Sequence, residues 1–211
     1  MSDDSRLIAV LGGHILQDTS HSRGFRTSTL ADFANPYRIF GDCLRGEAAA
    51  SLYRDDPQRT RVVVLGGVTP LHADIPDAPH LSAIIKAELV EARVPESVVD
   101  EVDMDPLRGT YEQLHQLVGF LSRVVQPGEV LVISNRWHEP RIQAMLAYAE
   151  GLEALRSARP RTRFVAAEDR LIETQPDRWC APIAEAFGRP EMRALMREEF
   201  RGAQQVADGT Y

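Results

Sequence analysis

The 211-residue chain has only two cysteines, Cys43 and Cys180, far apart and without a partner motif, so neither a disulfide framework nor a thiolate zinc site can be built from them. Lysine is nearly absent: Lys86 stands alone and every other basic side chain is arginine. With the abundant alanine, that usage points to a GC-rich bacterial genome. Long hydrophobic runs are missing as well. The longest early one, Leu7 to Leu11, is far too short for a signal-peptide core or a membrane span, and the acidic opening Met1-Ser2-Asp3-Asp4-Ser5 is the reverse of a basic leader. These absences predict a soluble, cytoplasmic protein with no membrane partner. Positive charge is in deficit, 24 Lys and Arg against 31 Asp and Glu, which excludes a nonspecific nucleic-acid binder. Any positive charge that matters must be focused at a site.

What is present is enough for one buried core: 44% of residues are hydrophobic. Short apolar, β-branched runs alternate with longer helical periods. Leu7 to Leu11 is a continuous apolar strand ending in Gly12-Gly13, and Val62 to Leu65 repeats it, ending in Gly66-Gly67. Val98 to Val102 is a weaker strand, Glu129 to Ser134 a strong one, and Arg163 to Ala167 a fifth candidate. Between them Phe40 to Arg54, Pro79 to Arg93, Gly109 to Val125 and His138 to Ala158 read as helices, and the rest is helical up to a polar tail from Gln204. Fully apolar strands separated by helices predict a doubly wound α/β domain, with a mostly parallel sheet of about five strands and helices on both faces.

In such a sheet, ligands bind beyond the carboxyl ends of the strands. Those ends carry Gly12-Gly13-His14, Gly66-Gly67 and Ser134-Asn135-Arg136-Trp137-His138. Paired glycines let a backbone approach a ligand and present N–H groups to an anion, or else simply make tight turns. Neither pair matches a dinucleotide or Walker phosphate loop. His138 and Arg141 lie three apart near the start of a helix, where an imidazole and a guanidinium can hold an anion and move a proton; the plainer reading makes them a cap and a surface ion pair. Thr110 with Gln113 fits a capping box, and Thr110 and Glu112 also sit at a strand-to-helix edge facing the expected cleft. Arg45 alone reads as a solvated helical arginine. The long loop from His14 to Asn35, with His21, Arg23 and Arg26, is a candidate lid. His72, Asp74 and His80 do not have the spacing of a standard metal site, so no metal is expected. Trp179 and Cys180 read as core of the closing segment, and Met192, Leu195 and Met196 as a packing stripe.

The order of these pieces (strand-LGG, helix with Arg-x-x-Ala, strand-GG, helix ending in Val-Pro, Thr-x-Glu helix start, strand-Ser-Asn-x-x-His-x-Pro-Arg) resembles the ElyC/SanA/YdcF family, the YdcF-like domain. The resemblance runs over about Leu7 to Tyr148 and is most specific at Ser134 to Arg141. Gly12, Gly13, Arg45, Gly66, Gly67, Thr110, Glu112, His138 and Arg141 fall on family positions. Departures occur at Leu81, Arg93 and Gln113, and the loop before Tyr37 looks expanded. The resemblance implies a Rossmann-like fold of the soluble YdcF type, with residues 1–160 as the core and 161–211 completing the same domain. It also implies S-adenosylmethionine as the candidate cofactor.

Together these readings lead to an expected enzyme, a transferase or hydrolase, acting on an anionic, nucleotide-like or phosphate-bearing small molecule. His138 is the expected general acid or base and Glu112 its helper. Gly12, Gly13, His14, Arg45, Gly66, Gly67, Thr110, Ser134, Asn135 and Arg141 are the expected ligand contacts. The alternatives are a non-catalytic S-adenosylmethionine or nucleotide sensor and, less directly, a scaffold using the C-terminal helices. A homo-oligomer is compatible with either.

Overall fold

The computed structural model describes residues 5–33, 40–68, 78–104, 109–124, 126–157 and 160–211. His72 and Asp74, named above as unlikely metal ligands, and Asn35 and Tyr37 lie outside the described residues.

The central sheet is built from β1 (Arg6–Leu11), β4 (Thr60–Gly66), β5 (Val99–Asp103), β6 (Glu129–Ser134) and β7 (Arg161–Ala166), in the order β5-β4-β1-β6-β7 with all pairs parallel. The doubly wound, Rossmann-like α/β architecture is thus the one the alternating pattern predicted. Its physical basis is visible in burial. Residues 8–10, 62–65 and 130–133 are completely inaccessible, as required of strands covered on both faces. Helices α1 (Cys43–Asp55) and α2 (Leu81–Glu91) carry the crossovers to β4 and β5; α3 (Thr110–Leu121) and α4 (Glu139–Tyr148) carry those to β6 and β7. The chain winds outward from β1 to β5, then returns to place β6 on the other side of β1. The direction of winding therefore reverses between β1 and β6, and the crevice at their carboxyl ends is the expected ligand position.

Three features differ from the sequence reading. The loop after His14 contains a small antiparallel hairpin, β2 (Ile15–Gln17) with β3 (Phe25–Thr27). Each strand is only three residues long, too short for a periodicity signal. The hairpin is pinned to α2: Glu88 accepts from the Thr27 N–H at 2.9 Å and from its hydroxyl at 2.8 Å, while Arg23 pairs with Glu91. The helix expected over His138 to Ala158 is interrupted. A single 3-10 turn over Arg136–His138 leads into α4, and Gly151 at φ +76° separates α4 from the short α5 (Glu153–Arg156). Cys180 is exposed rather than core, and Trp179 is half-buried with Arg178 stacked 4.5 Å from its ring centre.

The C-terminal part adds α6 (Ala167–Thr174), α7 (Pro176–Gly188) and α8 (Pro190–Ala207). The predicted stripe holds: Met192 and Leu195 are buried against Phe40 and Trp137, with Met196 packed alongside. Helix α8 lies along α4 and the 3-10 turn, so it reaches the carboxyl edge of β6. Among the described residues no helix is long and apolar enough to cross a membrane.

Candidate functional site

At the β1–β6 crevice, α1 delivers Arg45 from one side. Its guanidinium is 2% exposed. Arg45 Nε donates to Asn135 Oδ1 at 2.6 Å and Nη1 to the Leu11 carbonyl at 2.8 Å, while Nη2 lies 2.9 Å from Asp42 Oδ1. Asn135 in turn donates to the Gly41 carbonyl at 2.9 Å and to Glu168 Oε1 at 3.1 Å. Arg45 and Asn135 thus lock the ends of β1 and β6 to α1. Both were expected as ligand contacts; in the fold their polar atoms already have partners within the protein.

The glycine turns are engaged within the protein in the same way. The Gly12 N–H donates to the Leu65 carbonyl at 2.8 Å and to Gln113 Oε1 at 2.7 Å, and Gln113 Nε2 donates back to the Gly12 carbonyl at 3.1 Å. Gln113, 3% exposed, is therefore not a capping-box partner but a clamp on the first turn, and Gly109 takes the N-cap of α3 with Thr110 as its first residue. A Cβ on Gly13 would fall inside the Asp42 carboxylate. Asp42 already fills the place an anion would take: its Oδ2 accepts from the His14 N–H at 2.8 Å and from Ser28 Oγ at 3.0 Å. Gly66 and Gly67 let β4 approach the start of α2 and the Met104 carbonyl, where any Cβ would collide. The close approach glycine allows is here between parts of the protein itself. Ser134 and His14 are likewise buried, at 1% and 0% exposure.

The groups that keep access lie just beyond. Thr110, half-buried at the start of α3, and His138, at the start of α4, meet with Oγ1 and Nε2 2.9 Å apart. On the other side of the ring, Nδ1 lies 3.5 Å from Glu199 Oε2 of α8. The same carboxylate oxygen is 3.0 Å from Arg141 Nε. Nδ1 and Glu199 Oε2 are within charge-attraction range without a formed hydrogen bond, and with the ring proton placed on Nδ1 the Nε2 atom accepts from the Thr110 hydroxyl. Burial, reinforced by the positive fields of Arg45 and Arg141, holds the His138 pKa well below its ordinary value, so the ring is a neutral base. Burial pushes the Glu199 carboxyl up to about 7, against the opposing pull of Arg141 and Arg45.

The structure therefore brings together Thr110, His138 and Arg141 from the expected set and adds Glu199. Glu112 does not supply the partner of His138; it stays half-buried on the first turn of α3, with Oε2 beside Gly109. Glu199 lies 61 positions beyond His138, outside every motif considered. One signal did mark it. Met192, Leu195, Glu199, Gly202 and Val206 are the buried residues of α8, at helical spacing, so a carboxylate stands in the middle of an apolar stripe. Another buried carboxylate, Glu168, accepts from the Arg136 N–H at 2.6 Å and steadies the turn that presents His138. Among the described residues no cluster of His, Cys, Asp and Glu is arranged to hold a metal ion.

What fold and site define at this point is a class: a doubly wound parallel α/β protein with a largely buried histidine at its topological switch point. No family model matches the chain, and no curated protein or solved structure is detectably similar to it.

Proposed function

We propose that this protein is an enzyme acting on an anionic, phosphate-bearing small molecule by acid–base chemistry at His138. The observation that carries this reading is the placement of the His138 imidazole at the β1–β6 switch point, with Nε2 2.9 Å from a hydroxyl and Nδ1 3.5 Å from a carboxylate, in a buried setting that disfavours its charged form. A base must be uncharged to take a proton, and the environment keeps this one so. Arg45 and Arg141 lie close enough to act on the His138 ring, each beside a carboxylate, Asp42 and Glu199, and Arg141 is the basic group nearest an anion bound at His138. The sequence resemblance to YdcF-like proteins supports the same placement.

The resemblance also brought S-adenosylmethionine into consideration. The first turn does not fit such a ligand, because the Gly12 amide and carbonyl are both engaged and Asp42 closes the space over Gly13.

The test is turnover of p-nitrophenyl phosphate and a panel of nucleotides and sugar phosphates by wild type and His138→Gln, with thermal midpoints measured on both. Loss of roughly 10²–10⁴ in rate with an unchanged midpoint is expected. Equal rates would remove His138 from the chemistry, and binding of a panel member without any turnover would favour the sensor.

A further inference from the structure

We propose that Thr110 is the nucleophile of this site, taking the transferred phosphoryl group on Oγ1, with His138 as its base and Glu199 as the positioning carboxylate. The inference rests on the reading of His138 given above and deepens it.

The geometry has the parts that hydroxyl nucleophiles need. A free alcohol is a weak nucleophile and must lose its proton as it attacks, to a base within hydrogen-bond reach that is itself oriented by a third group. Thr110 Oγ1 is 2.9 Å from His138 Nε2, and Glu199 Oε2 faces the opposite ring nitrogen at 3.5 Å. The three groups come from three different helices, α3, the turn before α4, and α8. Packing rather than chain proximity holds them in line. The hydroxyl also stands at the first position of α3, where the N-terminal field favours developing negative charge. Both Thr110 and His138 keep partial exposure, whereas Arg45, Asp42, Asn135 and Gln113 beneath them are sealed. The cap position of α3 belongs to Gly109, so the Thr110 hydroxyl is turned to His138 rather than used as a helix cap.

In the first step Thr110 Oγ1 attacks phosphorus while its proton passes to His138 Nε2. The bond from phosphorus to the leaving group breaks, and the leaving group departs with the electron pair and takes the proton from His138. In the second step water attacks the phosphothreonine, gives a proton to His138 Nε2, and Thr110 leaves as an alkoxide that the imidazolium reprotonates. The Nδ1 proton stays on the ring throughout, directed at Glu199.

Glu199 can steady an imidazolium only when ionised. The charged and titratable groups around it are Arg141 on α4, His138 on the preceding turn, Arg45 on α1 and Glu198 on its own helix. Burial among them places its titration near neutrality, so the attack step gains rate as pH rises through about 7.

The experiment treats the full chain with an alkyl fluorophosphonate, whose phosphorus–fluorine bond an activated hydroxyl displaces, and locates the adduct by tandem mass spectrometry while following its rate from pH 5.5 to 8.5. Wild type should be labelled on Thr110. Thr110→Val should not be labelled there, Thr110→Ser should recover labelling on Ser, and His138→Gln should slow it by roughly 10²–10⁴. Glu199→Gln should slow labelling and flatten the rise near pH 7, a change that loss of packing alone would not produce. Thermal midpoints of all variants exclude unfolding as the cause. A wild type not labelled at Thr110 overturns the nucleophile, and so does Thr110→Val turning over p-nitrophenyl phosphate at the wild-type rate. If His138→Gln is impaired in that same comparison, the acid–base reading survives the loss of the nucleophile; if His138→Gln matches wild type, both fall.

Discussion

A buried arginine is stable only where each of its polar edges meets a partner, and Arg45 is placed in that way among Asp42, Asn135 and the Leu11 carbonyl. Replacing it by Met keeps much of the volume but strands the Asp42 carboxylate. The expected cost is about 3–5 kcal/mol in urea unfolding, with no proportionate change for the double variant Arg45→Met, Asp42→Leu, in which both charges are gone. The Gly13→Ala change belongs to the same scale. Its methyl would overlap Asp42, whose carboxylate is held by Arg45, Ser28 and the His14 N–H and has little room to give. A loss of roughly 1–3 kcal/mol is expected, read from the shift of the unfolding midpoint. Glu199 supplies a pH signature of its own. Its carboxyl titrates near 7 when folded against an ordinary value of 4.5, so the native state holds the proton more tightly between those values. Stability therefore falls as pH rises from about 4.5 to about 7, by roughly 1–3 kcal/mol. Glu199→Gln should remove that slope while leaving stability at pH 4.5 nearly unchanged.

At the scale of elements, the β2–β3 hairpin is organised by one arginine. Arg26 lies between Asp18 at 2.8 Å and Asp32 at 2.8 Å; the Ser20 hydroxyl and then Arg26 hold the Asp18 carboxyl down at about 2, and, against the opposing effect of burial, Arg26 with Thr29 holds Asp32 there as well. A depressed acid contributes its stability above its ordinary pKa and loses it as pH falls through the folded value. Hydrogen-exchange protection of the β2–β3 amides should thus hold at pH 4 and decline toward pH 2, ahead of the central strands; in Arg26→Gln the decline should already be present at pH 4. That attachment, together with Glu88 on Thr27, makes the segment a fixed wall beside α2. Helix α8 is the other element that matters to the site. Gly202 lies directly under the Arg141 guanidinium, where a methyl would displace a flexible side-chain end rather than backbone. The Arg141–Glu199 contact rests on that missing side chain.

For the whole molecule, β7 pairs in register with β6 from Glu129–Arg161 to Ser134–Ala166, and α8 buries Met192 and Leu195 against Trp137 and Phe40. The C-terminal quarter of the chain is therefore built into the sheet and the core. Unfolding followed by Trp fluorescence, which reports on Trp137 under α8 and on Trp179 in α7, should coincide with the loss of helix signal in a single transition. Two separated transitions would mean that the C-terminal helices form a distinct unit.

The sheet could be read from the chain because its strands are covered on both faces: runs such as Leu7 to Leu11, Val62 to Leu65 and Val130 to Ile133 have no solvent side to impose alternation, and the helices between them have the period of one buried stripe. The same local logic marked Thr110, His138 and Arg141, since strand-end and helix-start positions follow from element order alone. The short hairpin left no trace, because three-residue strands carry less pattern than the turns around them. The partners of the marked residues were not legible for a different reason. Whether Gly12 offers its amide to a ligand or spends it on Gln113, whether Arg45 faces solvent or Asp42, and whether His138 meets Glu112 or Glu199 depend on contacts between residues up to 101 positions apart. Sequence determined the elements, their order and the edge where chemistry gathers. Only the packing of α1, α3 and α8 around that edge decided which polar atoms are consumed by the fold and which remain for a ligand.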